Sequence, residues 1–145
     1  MSPEVFVRAG YDCSADIWSM ACTAYEIATG TLLFKPRTQE HWTKDEDHLR
    51  QYTEFIIGAY GKWPRRLLLH GEKTEEFFNA DGTLKNTKIK LTPWTVEQRL
   101  VDRGMDKVVA VGFAKFLVRM LNPDPIRRPS AVDLLNDPWL QTLNT

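Results

Sequence analysis

The sequence has few cysteines, no excess of charge of either sign and no long apolar run. Cys13 and Cys22 are the only two cysteines among 145 residues, which predicts free thiols in a reducing compartment, the cytoplasm or the nucleus. Lysine plus arginine number 19, as do aspartate plus glutamate, and a net charge of zero argues against direct nucleic-acid binding. No apolar run reaches the length of a membrane span and no signal peptide is visible, so no membrane association is expected.

Familiar signatures of metal and nucleophilic sites are also missing. His41, His48 and His70 show no metal-ligand spacing with one another or with the cysteines. No local pattern indicates a Ser-His-Asp or Cys-His arrangement. What remains is the composition of one globular domain, in which 43% apolar residues are enough to form a core.

Hydrophobic periodicity predicts helices along most of the chain. The first is predicted at residues 14–29, with Ser14 placed to cap it. Because apolar residues cover nearly every face of this helix, we expect it to be buried all round. A second helix is predicted at 44–60, where Thr43 and Glu46 form a capping box.

The second half of the chain begins irregularly, over residues 61–105, and then becomes strongly periodic. A helix is predicted at 106–121 with Val109 on its apolar side, Ser130 caps a further helix, and Pro138 starts a last one. The chain as a whole is predicted to be all-α. Three tryptophans are interpreted as core residues rather than as platforms for nucleic-acid bases: Trp18, Trp94 and Trp139.

Three short motifs stand in order between the two ends of the chain. Residues 2–4 read Ser-Pro-Glu, residues 16–19 read Asp-Ile-Trp-Ser, and residues 128–131 read Arg-Pro-Ser-Ala. The first resembles the Ala-Pro-Glu that closes a kinase activation segment. The others resemble the start of the central helix and the late helices of the kinase large lobe. In this order and spacing the chain resembles the second half of a eukaryotic protein kinase domain.

This resemblance implies the helical large lobe of the protein-kinase fold in truncated form. Residues 1–145 would be a partial kinase domain with an insert at about 61–105. The Gly-x-Gly-x-x-Gly, Val-Ala-Ile-Lys, His-Arg-Asp and Asp-Phe-Gly motifs, which serve ATP, magnesium and the substrate hydroxyl, are absent and would lie before Met1. We therefore expect no catalytic, cofactor-binding or metal-binding residue in this chain, and exposed apolar surface around the central helix.

The resemblance also implies roles for single residues. In kinases the residues matching Glu4 and Arg128 form a buried ion pair, in which a guanidinium fork binds a carboxylate through two hydrogen bonds. The alternative is two solvated surface charges, and Arg127 is expected to be the more exposed arginine. For Asp16 two roles stay open: an anchor for backbone N–H groups of the catalytic loop, or a cap for the amides of its own helix.

Further segments narrow the resemblance to the SR-protein kinases, which phosphorylate serines in Arg-Ser repeats of splicing-factor-like proteins. The segments are 25–30, 45–49, 63–67, 76–78 and 91–94. Cyclin-dependent and mitogen-activated kinases are the runner-up, disfavoured by Asp-Glu-Asp-His and Leu-Thr-Pro-Trp within these segments.

SR-protein kinases hold the arginine-rich substrate in an acidic docking groove. Asp47 and Glu54 match two acids of that groove and lie two helical turns apart on one face. Arg103 falls at a basic position of the groove, whereas Thr31 stands where many members carry another acid, which predicts a weaker or shifted groove. The alternative is an ordinary solvated helix start.

Three functional hypotheses follow. The chain is a fragment of a serine/threonine kinase that is inactive alone and, when complete, uses ATP and magnesium. Alternatively, it is a non-catalytic docking module for basic Arg-Ser peptides, or a gene-model or pseudogene remnant without activity. In the first two cases we expect a monomer whose partner is an Arg-Ser-rich protein or basic peptide.

Overall fold

The computed structural model describes residues 1–142, and within that range the backbone is helical apart from turns, loops and one isolated β-bridge between Phe78 and Leu84. This confirms the prediction of an all-α chain. No helix in the described range is long and apolar enough to cross a membrane. The helices are α1 (Pro3–Phe6), α2 (Ser14–Thr29), α3 (Lys44–Tyr60), α4 (Arg65–His70), α5 (Thr74–Phe77), α6 (Val96–Asp102), α7 (Lys107–Met120), α8 (Ala131–Leu135) and α9 (Pro138–Thr142), with a 3-10 turn at Pro125–Arg127 between α7 and α8.

Helix α2 has the predicted bounds but a different N-terminal arrangement. Ser14 is its first helical residue rather than its cap, and the Ser14 N–H donates to Asp12 Oδ1 at 2.8 Å. At the other end Gly30 adopts a left-handed conformation with φ 72° and donates its N–H to the Glu26 carbonyl. Glycine adopts this conformation without the steric cost of a Cβ, which ends the helix.

The expectation that α2 is buried on all faces is wrong for the described chain. Trp18, Ala21 and Tyr25 are buried against α7 and the neighbouring aromatic residues, whereas Met20 is half-exposed and Ile27 is 81% exposed. The described helices cover one side of α2 only. The separate expectation of exposed apolar surface around this helix describes Met20 and Ile27 correctly.

Helix α3 begins and ends as predicted. The Thr43 hydroxyl accepts from the Glu46 N–H at 3.2 Å, and Glu46 accepts from the Thr43 N–H at 2.8 Å, which completes the capping box. Its apolar stripe packs on α2, where Tyr52 lies edge-on to Trp18 at a ring-centroid distance of 5.5 Å. Edge-to-face aromatic pairs of this kind add to the stabilisation from burial. The contact fixes the orientation of α3, and with it the acidic residues of that helix.

Between α3 and α7 the chain forms three short helices and a turn. Thr95 and Gln98 have the residue types and spacing of a capping box, but only one of its two bonds is formed. Thr95 Oγ1 accepts from the Gln98 N–H at 3.2 Å, but the Gln98 side chain donates to Asp102 instead of returning to Thr95. Both partners of that second bond lie on the exposed face of α6.

Helix α7 lies within the predicted range and supplies much of the core through Phe113, Leu117 and Met120. Val109 is an exception, because it is 52% exposed in the first turn, next to the N-cap Asp106. Trp139 of α9 stacks between Phe113 and Phe116 at centroid distances of 5.0 and 4.9 Å. The predicted Ser130 cap is present, with Ser130 Oγ accepting from the Asp133 N–H.

Candidate functional site

Glu4 and Arg128, 124 positions apart in sequence, form a two-pronged ion pair. Arg128 Nη1 donates to Glu4 Oε1 at 2.6 Å and Nη2 donates to Oε2 at 2.7 Å. The side chains are 1% and 0% exposed. Hydrogen bonds with both partners charged are among the strongest in proteins, and the pair leaves neither charge uncompensated.

Arg128 also holds two backbone segments. Its Nε donates to the Asn122 carbonyl at 2.7 Å, its Nη1 donates to the Ser14 carbonyl at 3.0 Å, and its guanidinium lies 5.2 Å from the Trp18 ring centroid. Arg127 differs sharply, because its side chain is 77% exposed and lies 3.7 Å from Asp124. A single arginine thus joins α1, the start of α2 and the segment after α7.

Asp16 does not cap its own helix through a hydrogen bond in the described residues, whereas its other predicted role, an anchor for the catalytic loop, stays a prediction because the His-Arg-Asp motif of that loop is not in this sequence. Its side chain is exposed, α2 has no side-chain cap, and no hydrogen bond to its carboxylate is present among residues 1–142. The Asp12 carboxylate makes the local bond instead, through the Ser14 N–H. Within the described residues Asp16 acts on the start of α2 through its charge in the first turn.

Asp47 is a buried acceptor rather than an exposed docking carboxylate, which does not fit its predicted place in the docking groove. It is 1% exposed. Its Oδ2 accepts from the Arg37 N–H and Gln51 Nε2, each at 2.9 Å, and its Oδ1 accepts from Trp42 Nε1 at 3.1 Å and Arg50 Nε at 2.9 Å. Burial would raise the pKa of Asp47, but these hydrogen bonds outweigh it and lower the pKa.

Arg50 bridges the two acids and was missed by the sequence reasoning. Besides its bond to Asp47, its Nη1 donates to both oxygens of Glu54 at 2.9 Å. Burial would lower the pKa of Arg50, but the bond to Asp47 and the charge of Glu54 raise it. The spacing was the available signal, since Asp47 and Glu54 lie three residues before and four residues after Arg50 on one helix.

Glu54 is also buried, at 4% exposed, but unlike Asp47 it lines two grooves. Its Oε1 also accepts from the Thr92 N–H at 3.0 Å. One groove, here called the helix groove, has a volume of about 620 Å³ and includes Thr31 and Arg103, so the structure brings three of the predicted groove positions together. Its charged lining residues are mixed in sign: Glu26, Lys35, Arg50, Glu54, Arg99, Asp102 and Arg103.

The residues present do not fit ATP or magnesium. The described part of the chain brings together no group of three or more histidine, cysteine, aspartate or glutamate side chains that could hold a metal ion. The sequence also has no glycine-rich loop to bind phosphates. We therefore assign no step of phosphoryl transfer to residues of this chain.

Comparison with curated proteins shows similarity to kinases from yeasts and mammals. The chain is 42% identical over 97% of its length to the serine/threonine-protein kinase SKY1 of Saccharomyces cerevisiae, and 38% identical over 94% to the human SRSF protein kinase 3. It is 34% identical over 97% to the protein kinase dsk1 of Schizosaccharomyces pombe. The chain spans only 18%, 24% and 25% of the lengths of these relatives, respectively.

A match to a protein family agrees with these similarities. Residues 1–140 match the model of the protein kinase domain. The matched range contains all three ordered motifs and the ion pair between Glu4 and Arg128. The chain therefore belongs to the protein kinase domain family.

Proposed function

We propose that this chain is the large-lobe part of a serine/threonine kinase that phosphorylates serines in Arg-Ser-rich proteins. The observation that carries the proposal is the buried ion pair of Glu4 and Arg128, which joins the Ser-Pro-Glu motif to the Arg-Pro-Ser-Ala motif. Its support comes from the similarity to SRSF protein kinase 3, whose name states its substrate class. The chain alone does not catalyse, because the residues that serve ATP and the substrate hydroxyl are not among its own.

We propose that the helix groove contacts the arginines of the substrate through Glu54. Glu54 Oε1 and Oε2 already accept from Arg50, so an incoming guanidinium competes with an internal partner. Asp47 acts indirectly, since its bond to Arg50 Nε helps to set where Arg50 lies. Arg103 adds a positive charge to the groove, and the result is weaker docking than a groove lined by acids alone would provide.

The alternative function is a non-catalytic module that binds basic peptides. The helix groove supports this alternative equally well, so the two proposals are distinguished by whether the longer polypeptide catalyses phosphorylation. The sequence encoded upstream of Met1 is read first for His-Arg-Asp and Asp-Phe-Gly. If both are present, the longer polypeptide is purified and is expected to phosphorylate an Arg-Ser peptide faster than a Lys-Ser peptide, because lysine lacks the planar fork.

Two results would contradict the kinase proposal. One is that both motifs are absent upstream while the chain still binds the peptide, a result that favours the non-catalytic binding module. The other is equal phosphorylation of the two peptides, which removes the Arg-Ser specificity. Calorimetric titration of the 145-residue chain with ATP and magnesium is expected to show no binding. Binding at micromolar concentration would contradict the proposal that the ATP-binding and magnesium-binding residues are not in this chain.

A further inference from the structure

A second groove, which shares Arg50, Glu54 and Arg99 with the helix groove, has a mostly positive lining. It has a volume of about 460 Å³, and we call it the lysine groove. Its charged lining residues are Arg50, Glu54, Lys88, Lys90 and Arg99. Four cations therefore face one carboxylate, although the chain as a whole has a net charge of zero.

Within residues 1–142, three of the four cations have no carboxylate at ion-pair distance. Arg50 alone is paired with Glu54. The ammonium groups of Lys88 and Lys90 make no hydrogen bond or ion pair within residues 1–142, and only the backbone N–H of Lys88 is bonded, to Asn86. Like charges gathered without compensation repel one another, so a bound anion would stabilise this arrangement.

Arg99 is built into the groove rather than free at its rim. Its Nη1 donates to the Leu33 carbonyl at 2.8 Å, and its guanidinium lies 3.3 Å from the centroid of the Trp94 ring. Burial lowers the pKa of Arg99. A partly desolvated guanidinium held over an indole is a positioned donor, because its plane and its open nitrogens are fixed.

We propose that the lysine groove binds a phosphorylated serine, in a peptide segment, through Lys88, Lys90 and Arg99. A phosphoserine carries a charge of about −1.5 to −2 and three acceptor oxygens, which suit several cationic donors. The choice of phosphoserine as the ligand rests on the proposed function, whereas the positive charge of the groove is independent of it. The groove would then hold a phosphorylated product, while the helix groove holds arginine.

The geometry favours a phosphopeptide over single-stranded nucleic acid. Proteins that bind single strands stack successive bases on open aromatic faces. In this groove Arg99 already covers a face of Trp94. The volume of the groove suits one phosphate group with its neighbouring residues.

The test is fluorescence anisotropy of the 145-residue chain with a labelled glycine-serine peptide carrying two phosphoserines and no arginine. Binding is expected to fall as salt rises. The variant Lys88→Gln with Lys90→Gln is expected to weaken it about tenfold or more. The matched control, Lys107→Gln with Lys115→Gln, removes two exposed lysines of α7 and is expected to leave it unchanged. Circular dichroism confirms that both variants are folded.

Four outcomes would overturn the proposal. In the first, the control variant loses as much affinity for the phosphopeptide as the Lys88→Gln with Lys90→Gln variant; in the second, the unphosphorylated peptide binds as tightly as the phosphopeptide. In the third, single-stranded RNA binds more tightly than the phosphopeptide; in the fourth, inorganic phosphate displaces the phosphopeptide at an equal concentration. Because the peptide has no arginine and no ATP is added, the result is independent of kinase activity. Phosphorylation by the longer polypeptide tests that activity separately.

Discussion

The Arg128 guanidinium encloses the Glu4 carboxylate through two parallel hydrogen bonds, 2.6 and 2.7 Å long, with neither side chain more than 1% exposed. Because the partners lie near opposite ends of the chain, the ion pair holds the N-terminal helix α1 against the segment that precedes α8. A buried pair of this kind adds little relative to an apolar replacement, but breaking it singly leaves one charge buried and unpaired.

The first prediction is that either single substitution in this pair is costly. Glu4→Gln and Arg128→Ala are each expected to lower the free energy of unfolding by about 3–5 kcal/mol. Arg127→Ala is the control and is expected to cost within about 1 kcal/mol, because that side chain is 77% exposed. Urea denaturation followed by circular dichroism measures all three, and similar small losses at Arg127 and Arg128 would contradict the structural role.

The second prediction concerns the stability of the chain in mild acid. His48 packs on Tyr52 and Phe6, with ring centroids 4.3 and 5.4 Å away, and burial lowers its pKa from 6.5 to about 4. The unfolded chain therefore takes up the proton first as pH falls. His48 contributes stability fully above about pH 6.5, and this contribution is lost progressively as the pH falls towards about 4.

The measurement is the free energy of unfolding in urea at several pH values across this interval. Loss from His48 is expected to be at most about 1.4 kcal/mol for each pH unit. His48→Phe keeps an aromatic ring and is expected to flatten the slope, whereas His41→Phe, at an exposed position, is expected to leave it intact. An unchanged slope in His48→Phe would assign the acid sensitivity to other groups.

The third prediction is that Gly58 does not tolerate a methyl group. Within an exposed helix, glycine to alanine normally stabilises by about 1 kcal/mol. Here a Cβ at Gly58 would overlap the carbonyl oxygen of Trp94, which belongs to the backbone and cannot rotate away. Gly58→Ala is therefore expected to destabilise the chain by about 1–3 kcal/mol. In Gly112→Ala the Cβ meets only the Trp139 side chain, so a smaller loss is expected in thermal melts.

Helices α2, α3 and α8 were predictable because the signals at their ends are local, whereas the short helices α1, α4 and α5 were not predicted. The capping boxes at Thr43 and Ser130 and the left-handed Gly30 depend on residues within one or two turns, and each marks a helix boundary in the structure. The exposure of Ile27 was not predictable from periodicity. An apolar residue on a helix is buried only if another element covers it, and that depends on the tertiary arrangement.

For the candidate site, the sequence was enough to predict the ion pair but not the hydrogen-bond network around Asp47. The motif context named Glu4 with Arg128, and the structure brings them together. It also named Asp47, but the bonds from Trp42 and the Arg37 N–H depend on how the loop before α3 folds back. The lysine groove was missed because Lys88, Lys90 and Arg99 have no motif in common and come to line one groove only in the folded chain.

The last prediction concerns arginine docking in the helix groove. Because Arg50 occupies both oxygens of Glu54, it competes with a substrate guanidinium and repels it. Arg50→Gln is therefore expected to tighten binding of an Arg-Ser peptide to the 145-residue chain, measured by fluorescence anisotropy at two salt concentrations. Glu54→Gln is expected to weaken it, since a neutral amide cannot form the charge-assisted pair.

The control for this experiment is Glu75→Gln with Glu76→Gln, which removes two exposed acids outside both grooves. If the control weakens binding as much as Glu54→Gln, the peptide is held only by diffuse electrostatic attraction. If Arg50→Gln weakens binding, Arg50 positions Glu54 for the substrate instead of competing with it. Asp47 stays hydrogen-bonded to Arg37, Trp42 and Gln51 without Arg50, so the variant changes the groove while the start of α3 keeps its anchor.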